Sequence, residues 1–127
     1  MKSFALTLQL VDDADVIAEY ERQHQAVWPG VLAGIREVGI TRMQIFRLGT
    51  QLVMYIDTTD EFDPAGDFPR VNDDPESKRW NEWMATMQRK DPRGKPEEWW
   101  SLMPLVFDTE WPQHGPTRGE ERGARDE

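Results

Sequence analysis

The sequence contains no cysteine. That single absence excludes disulfides, thiolate zinc sites, iron–sulfur clusters and cysteine nucleophiles. Long apolar runs are missing too, and none approaches the roughly 20 residues of a membrane-spanning helix. Basic charge is short: 15 Lys and Arg stand against 24 Asp and Glu, a net charge of −9. Such a chain repels phosphate backbones and anionic lipid, and without a basic patch neither nucleic acid nor a membrane surface is an expected partner. There is no Gly-rich phosphate loop, no G-x-S-x-G elbow and no HExxH. With only two histidines in 127 residues, His24 and His114, a metal site is not expected. The opening residues MKSFALTLQL alternate apolar and polar, which makes a poor signal peptide and a good strand. The expectation is a soluble cytoplasmic protein.

What is present is tryptophan. Six in a chain of this length is an excess, and each needs a pocket for its ring and a partner for its N–H. Two readings fit: a flat apolar surface on which a sugar stacks, or core packing with an oligomer interface. The length suits one domain that buries roughly two-thirds of its unfolded surface. Residues 1–112 form that domain. Residues 113–127 hold three arginines, four acidic residues and no large apolar side chain, so they are expected to form a disordered tail.

Phe4, Leu6, Leu8 and Leu10 alternate with Ser3, Ala5, Thr7 and Gln9, a period-two strand with one buried face. Asp12 and Asp13 end it and offer helix caps. From Ala14 to Val27 the pattern is helical, with Val16, Ile17, Tyr20, His24 and Val27 on one stripe. Trp28-Pro29-Gly30 interrupts, and a second helix runs from Pro29 to Val38, stopped by Gly39. Ile40 to Leu48 and Gln51 to Asp57 read as a hairpin across Gly49-Thr50. Thr58 to Pro75 is acidic and proline-rich, a long loop with room for one helical turn. Glu76 to Arg89 is helical again, through Trp80, Trp83, Met84 and Met87. Trp99 to Phe107 is the last strand, with Pro104 marking an edge or a bulge.

The order βαββαβ is that of a ferredoxin-like split βαβ domain, an α+β fold with a four-stranded antiparallel sheet and helices on one face. Both sheet faces carry apolar residues, whereas a solvated face would read polar throughout. The open face is therefore expected to cover either a partner subunit or a ligand, and the economical answer is a second copy of the chain, giving a homodimer.

The chemistry centres on His24, which follows Tyr20 by one helical turn on the inward stripe. A histidine there can be a hydrogen-bonded core residue. Its companions Tyr20 and Trp28 make a mixed polar and aromatic wall instead, and imidazole both gives and takes protons near neutral pH. The adjacent pairs Asp12/Asp13, Asp73/Asp74 and Glu97/Glu98 point to different sides of their elements and suit caps and solvated faces rather than a paired-carboxylate site. Glu19 and Glu21, flanking Tyr20, should point away from the stripe.

The segment Glu19-Tyr20-Glu21-Arg22-Gln23-His24-Gln25-Ala26-Val27-Trp28-Pro29 resembles the E-Y-x-x-x-H-x-x-x-W-P signature of the L-rhamnose mutarotase family. The resemblance continues through Gly39, the hairpin, Lys78-Arg79-Trp80, Trp83-Met84 and Val106-Phe107, and covers about residues 1 to 110. It implies a dimeric ferredoxin-like α/β barrel, an isomerase that interconverts the α and β anomers of 6-deoxy-L-hexoses without a cofactor. By motif position His24 is the proton donor and Tyr20 a substrate ligand. Trp80 matches the first of two adjacent sugar-contacting aromatics. Asn81 stands where the second would be, and Met43 where the family has a tyrosine. Trp28 and Trp83 are candidates for the pocket wall or for its support. Arg47-Leu48-Gly49 and Lys95-Pro96 resemble the branch associated with L-fucose.

Two rival classes remain from the residues. One is a small dimeric ferredoxin-like oxygenase or haem-degrading protein, which haem or quinone titration would test and tight haem binding through His24 would favour. The other is a non-catalytic sugar- or partner-binding module, which would change its tryptophan fluorescence with sugar yet not speed anomer exchange.

Overall fold

In the computed structural model, which describes residues 1–112, the alternating N-terminal segment forms the central strand β1 (Lys2–Leu10). Leu6, Leu8 and Leu10 point inward and are almost wholly buried. Strand β3 (Gln51–Thr58) runs antiparallel along one edge, placing Phe4 opposite Ile56, Leu6 opposite Met54 and Leu8 opposite Leu52. Strand β2 (Ile40–Leu48) lies outside β3. Their tight connection uses Gly49 at φ +60°, a left-handed conformation that favours glycine.

The other edge of β1 carries a fourth row in two pieces. Strand β4 (Gln88–Arg89) pairs with Leu10 and Gln9, and β5 (Ser101–Met103) pairs with Thr7, Leu6 and Ala5. Residues 90–100 leave the sheet between them as a strap. The row order β2-β3-β1-β4 is that of the ferredoxin-like α+β fold expected from the sequence.

Helices α1 (Ala14–Gln23), α2 (Pro29–Glu37), α3 (Pro64–Asp67) and α4 (Pro75–Ala85), with a 3-10 helix (Phe68–Asp73), cover one side. One member of each of two acidic pairs caps a helix. Asp13 accepts from the amides of Asp15 and Val16, and Asp74 accepts from the amide of Ser77, bonds typically worth about 1 kcal/mol each. Gly39 ends the α2 segment at φ +104°. A Cβ there would also lie 2.9 Å from Thr59 Oγ1. Among the described residues no helix is long and apolar enough to cross a membrane.

Three boundaries differ from the sequence expectation. The first helix ends at Gln23 rather than Val27, because Pro29 holds Trp28 extended (φ −61°, ψ 137°) and the chain must turn before it. The late helix ends at Ala85, and Met87 lies in the turn leading to β4. The last strand spans 101–103 rather than 99–107, since Pro104 has no N–H to continue the ladder. The expected tail, residues 113–127, lies outside the described residues, as does His114.

The helix-facing side of the sheet is buried. The opposite side presents Phe46, 57% exposed, and Tyr55, 38% exposed, with Leu48 at 86%. The apolar second face read from the sequence is therefore present and uncovered in a single chain.

Candidate active site

Helix α1 carries Tyr20 in its last turn and His24 as its C-cap. Tyr20 is 3% exposed, and the His24 ring packs against it with centroids 4.4 Å apart. His24 Nδ1 lies 2.8 Å from the Tyr20 carbonyl oxygen. A carbonyl only accepts, so Nδ1 carries the hydrogen and, in the neutral ring, Nε2 is left with a free lone pair. Burial pushes the His24 pKa below its ordinary value, opposed by the bond to that carbonyl. The ring is thus neutral at pH 7 and rests as a proton acceptor at Nε2.

Burial raises the Tyr20 phenol to about 12, opposed by a hydrogen bond from Gln88. Gln88 Nε2 donates to the Tyr20 hydroxyl at 2.9 Å, and Gln88 Oε1 accepts from Trp99 Nε1 at 2.8 Å. Tyr20 therefore stays protonated across the neutral range.

Helix α4 contributes Trp80, 4% exposed, whose ring meets His24 edge-on at 5.4 Å. Behind it Trp28 and Trp83 stack at 5.9 Å, each edge-on to Trp80 at 5.1 and 5.7 Å. Between the helices and the inner side of the sheet runs an open hollow of about 1410 Å³, larger than the usual range of roughly 300–1,000 Å³ for small-molecule sites. Tyr20, His24, Met43, Trp80 and Asn81 all line it, whereas Trp28 and Trp83 do not. Those two brace Trp80 from the far side. Asn81 is held by its amide donating to Asn72 at 2.8 Å.

Several lining residues escaped the sequence reading. Gln88 falls inside the late helix expected from the sequence, and Trp99 opens the expected last strand, and neither was singled out. Arg47 points to the helix side of β2, where Nε donates to Glu21 at 2.5 Å. Both line the hollow, so Glu21 reaches its rim rather than pointing away. Glu19 instead pairs with Arg22 and accepts from Gln23. Among the described residues no three His, Cys, Asp or Glu side chains gather as a metal site would need.

A neutral imidazole beside a phenol, in a half-enclosed hollow walled by indole, can carry a proton between two oxygens of an uncharged molecule. On this α+β fold, such an arrangement has the groups that an isomerase of a small uncharged molecule needs. A family model described as L-rhamnose mutarotase matches residues 3–109, and the chain belongs to that family, isomerases acting on sugar anomers. The protein is a sugar mutarotase. It is 38% identical over 109 residues to the L-fucose mutarotase of Xanthomonas campestris, covering 84% of this chain and 87% of that one. A UPF0734 protein of Dictyostelium discoideum is 40% identical over 114 residues, covering 87% and 91%. Among solved structures, the L-rhamnose mutarotase of Formosa agariphila superposes with a TM-score of 0.60 at 19% identity, covering 87% of this chain and all of that one. The tetracenomycin F2 cyclase of Streptomyces glaucescens does so at 0.61 and 18%, covering 88% and all of that chain. The fold thus serves more than one chemistry, and the site must carry the argument.

Proposed function

We propose that the substrate is a 6-deoxy-L-hexose, L-fucose before L-rhamnose, and that His24 moves the proton. The observation that carries this is the fixed tautomer of His24, with Nε2 free beside a hollow walled by Trp80. Nε2 takes the proton from the anomeric O1–H. As O1 becomes the aldehyde oxygen, the C1–O5 bond breaks and the imidazolium returns the proton to O5. Rotation about C1–C2 and the reverse sequence close the ring on the other face. His24 is thus the proton donor implied by the family motif, but only after it has acted as acceptor. Trp80, almost wholly buried, borders the space for the sugar with the edge of its indole, and Tyr20, Met43 and Asn81 line the remaining contacts. Trp28 and Trp83 support Trp80. The kinship with an L-fucose mutarotase supports the choice of sugar. No cofactor enters the sequence of steps.

Saturation-difference NMR on the purified protein tests the reading. Irradiating one anomeric proton should transfer saturation to the other anomer for L-fucose, and less for L-rhamnose, only when protein is present. No enhanced transfer with any 6-deoxy-L-sugar would end the proposal, and sugar-dependent tryptophan fluorescence alone would point to a binding module.

The open sheet face belongs to the same proposal. Tyr55, Leu48 and the exposed ring of Phe46 form an apolar surface on the sheet face opposite the helices, which a second copy would cover to make a homodimer. Phe46→Asp places a charge at its centre. Sedimentation should then show a dimer for the native protein and a dissociation constant raised at least tenfold for the variant, whereas a native monomer would remove the dimer. A cytoplasmic role in carbohydrate metabolism is part of this reading, supported by the acidic, cysteine-free composition.

A further inference from the structure

We infer that Gln88 and Trp99 are positioning residues which fix the Tyr20 hydroxyl as a hydrogen-bond donor to the sugar. This rests on the mutarotase reading above and deepens it. An indole N–H can only donate. Because Trp99 Nε1 lies 2.8 Å from Gln88 Oε1, the amide must turn its oxygen toward the indole, and its NH₂ end then faces Tyr20 at 2.9 Å. The phenolic oxygen accepts that bond, so its own hydrogen is directed elsewhere. Gln88 is 8% exposed, and all three side chains border the hollow, where the hydrogen meets whatever the hollow holds.

The two ends of Tyr20 therefore set opposite polarities. Its carbonyl commits His24 Nδ1 as a donor and leaves Nε2 as an acceptor, while its hydroxyl is left as a donor. A hemiacetal presents the complement on one carbon: O1–H donates and O5 accepts. Tyr20 is thus matched to O5 and His24 to O1–H. The indole comes from the strap at residues 90–100, which leaves the sheet just after β4. Its start is fixed by Asp91, which is 1% exposed and accepts from the Arg93 amide at 2.9 Å and from its guanidinium at 2.8 and 2.6 Å.

Gln88→Glu is the discriminating variant. Its carboxylate keeps the bond from Trp99 but accepts from Tyr20 as well, reversing the phenol. The expected result is a kcat/KM about tenfold lower at neutral pH with little change in melting temperature. Lowering the pH should restore part of the loss as the introduced carboxylate is protonated and donates again, a trend opposite to the native protein's. Trp99→Phe keeps a ring but frees the amide to turn, and should cost several-fold. Hydrogen exchange of the Trp99 indole, followed by NMR on ¹⁵N-tryptophan-labelled protein, reads the relay without sugar: Gln88→Leu should accelerate it. Native kcat/KM and pH profile in Gln88→Glu, or unchanged indole exchange in Gln88→Leu, overturns the inference. If the native protein speeds no sugar's anomer exchange, the mutarotase reading fails, and the indole exchange still decides the relay.

Discussion

Replacing His24 with alanine is expected to remove most of the catalysed anomer exchange, a loss of about 10²–10⁴-fold, the range of general acid–base catalysis. The size follows from the geometry. Nε2 is the one basic lone pair that the Tyr20 carbonyl leaves available on the ring, and the phenol, raised to about 12, cannot replace it as a base near neutrality. The rate should also fall on the acid side as His24 becomes protonated. Because burial lowers its pKa, that limb lies below the ordinary histidine value, and no limb from Tyr20 should appear in the neutral range. The same shift has a stability consequence. A histidine whose folded pKa is depressed contributes fully above its unfolded value near 6.5, and that contribution is lost as pH falls from there through the folded pKa. Saturation-difference NMR across pH 5 to 9 reads the rates. Native exchange in His24→Ala would refute the assignment, as would a native rate that rises on acidification.

Which parts of this could be read from the sequence depended on how local their causes are. The alternation around Leu6 and Leu8, the Asp13 cap and the glycine stop at Gly39 are each set within a few residues, and each emerged as read. The pairing of Tyr20 with His24 is local as well, since one helical turn fixes it. Helix ends were less legible. Met87 lies at i+7 from Trp80 and is buried in either case, so periodicity could not tell the end of α4 from a turn whose amide bonds back to Met84. A strand of two residues, Gln88–Arg89, is too short to show any period. The Trp99–Gln88–Tyr20 contact joins a strap, a sheet edge and a helix, and only the long-range pairing of β1 with β4 and β5 brings them together. A buried glutamine reads in sequence as a solvated one, and no spacing rule separates the two.

Trp80→Ala is expected to be the most destabilising single substitution at the site, by about 3–5 kcal/mol, because a large-to-small change leaves both lost contacts and a cavity. Trp80 belongs to the cluster that includes Leu8, Leu10, Leu52, Met84 and Met87, and Trp28, Trp83 and His24 all lean on its ring. For a domain of this size that is a fall in melting temperature of roughly 10–25 °C. The indole thus does two jobs, holding three rings in place and walling the hollow, and its removal confounds them. Trp83→Ala separates the two: it takes away a brace that does not line the hollow and leaves the wall itself. It should lower the melting temperature less than Trp80→Ala and raise the KM for the sugar only slightly. Trp80→Phe, which keeps an aromatic face, should retain more stability than Trp80→Ala and most of the activity. Thermal melting with sugar kinetics on the three variants checks this. A melting temperature of Trp80→Ala within a degree of the native value would show that the ring bears no part of the core, and an equal rise in KM from Trp83→Ala and Trp80→Ala would show that neither ring is distinguished by touching the sugar.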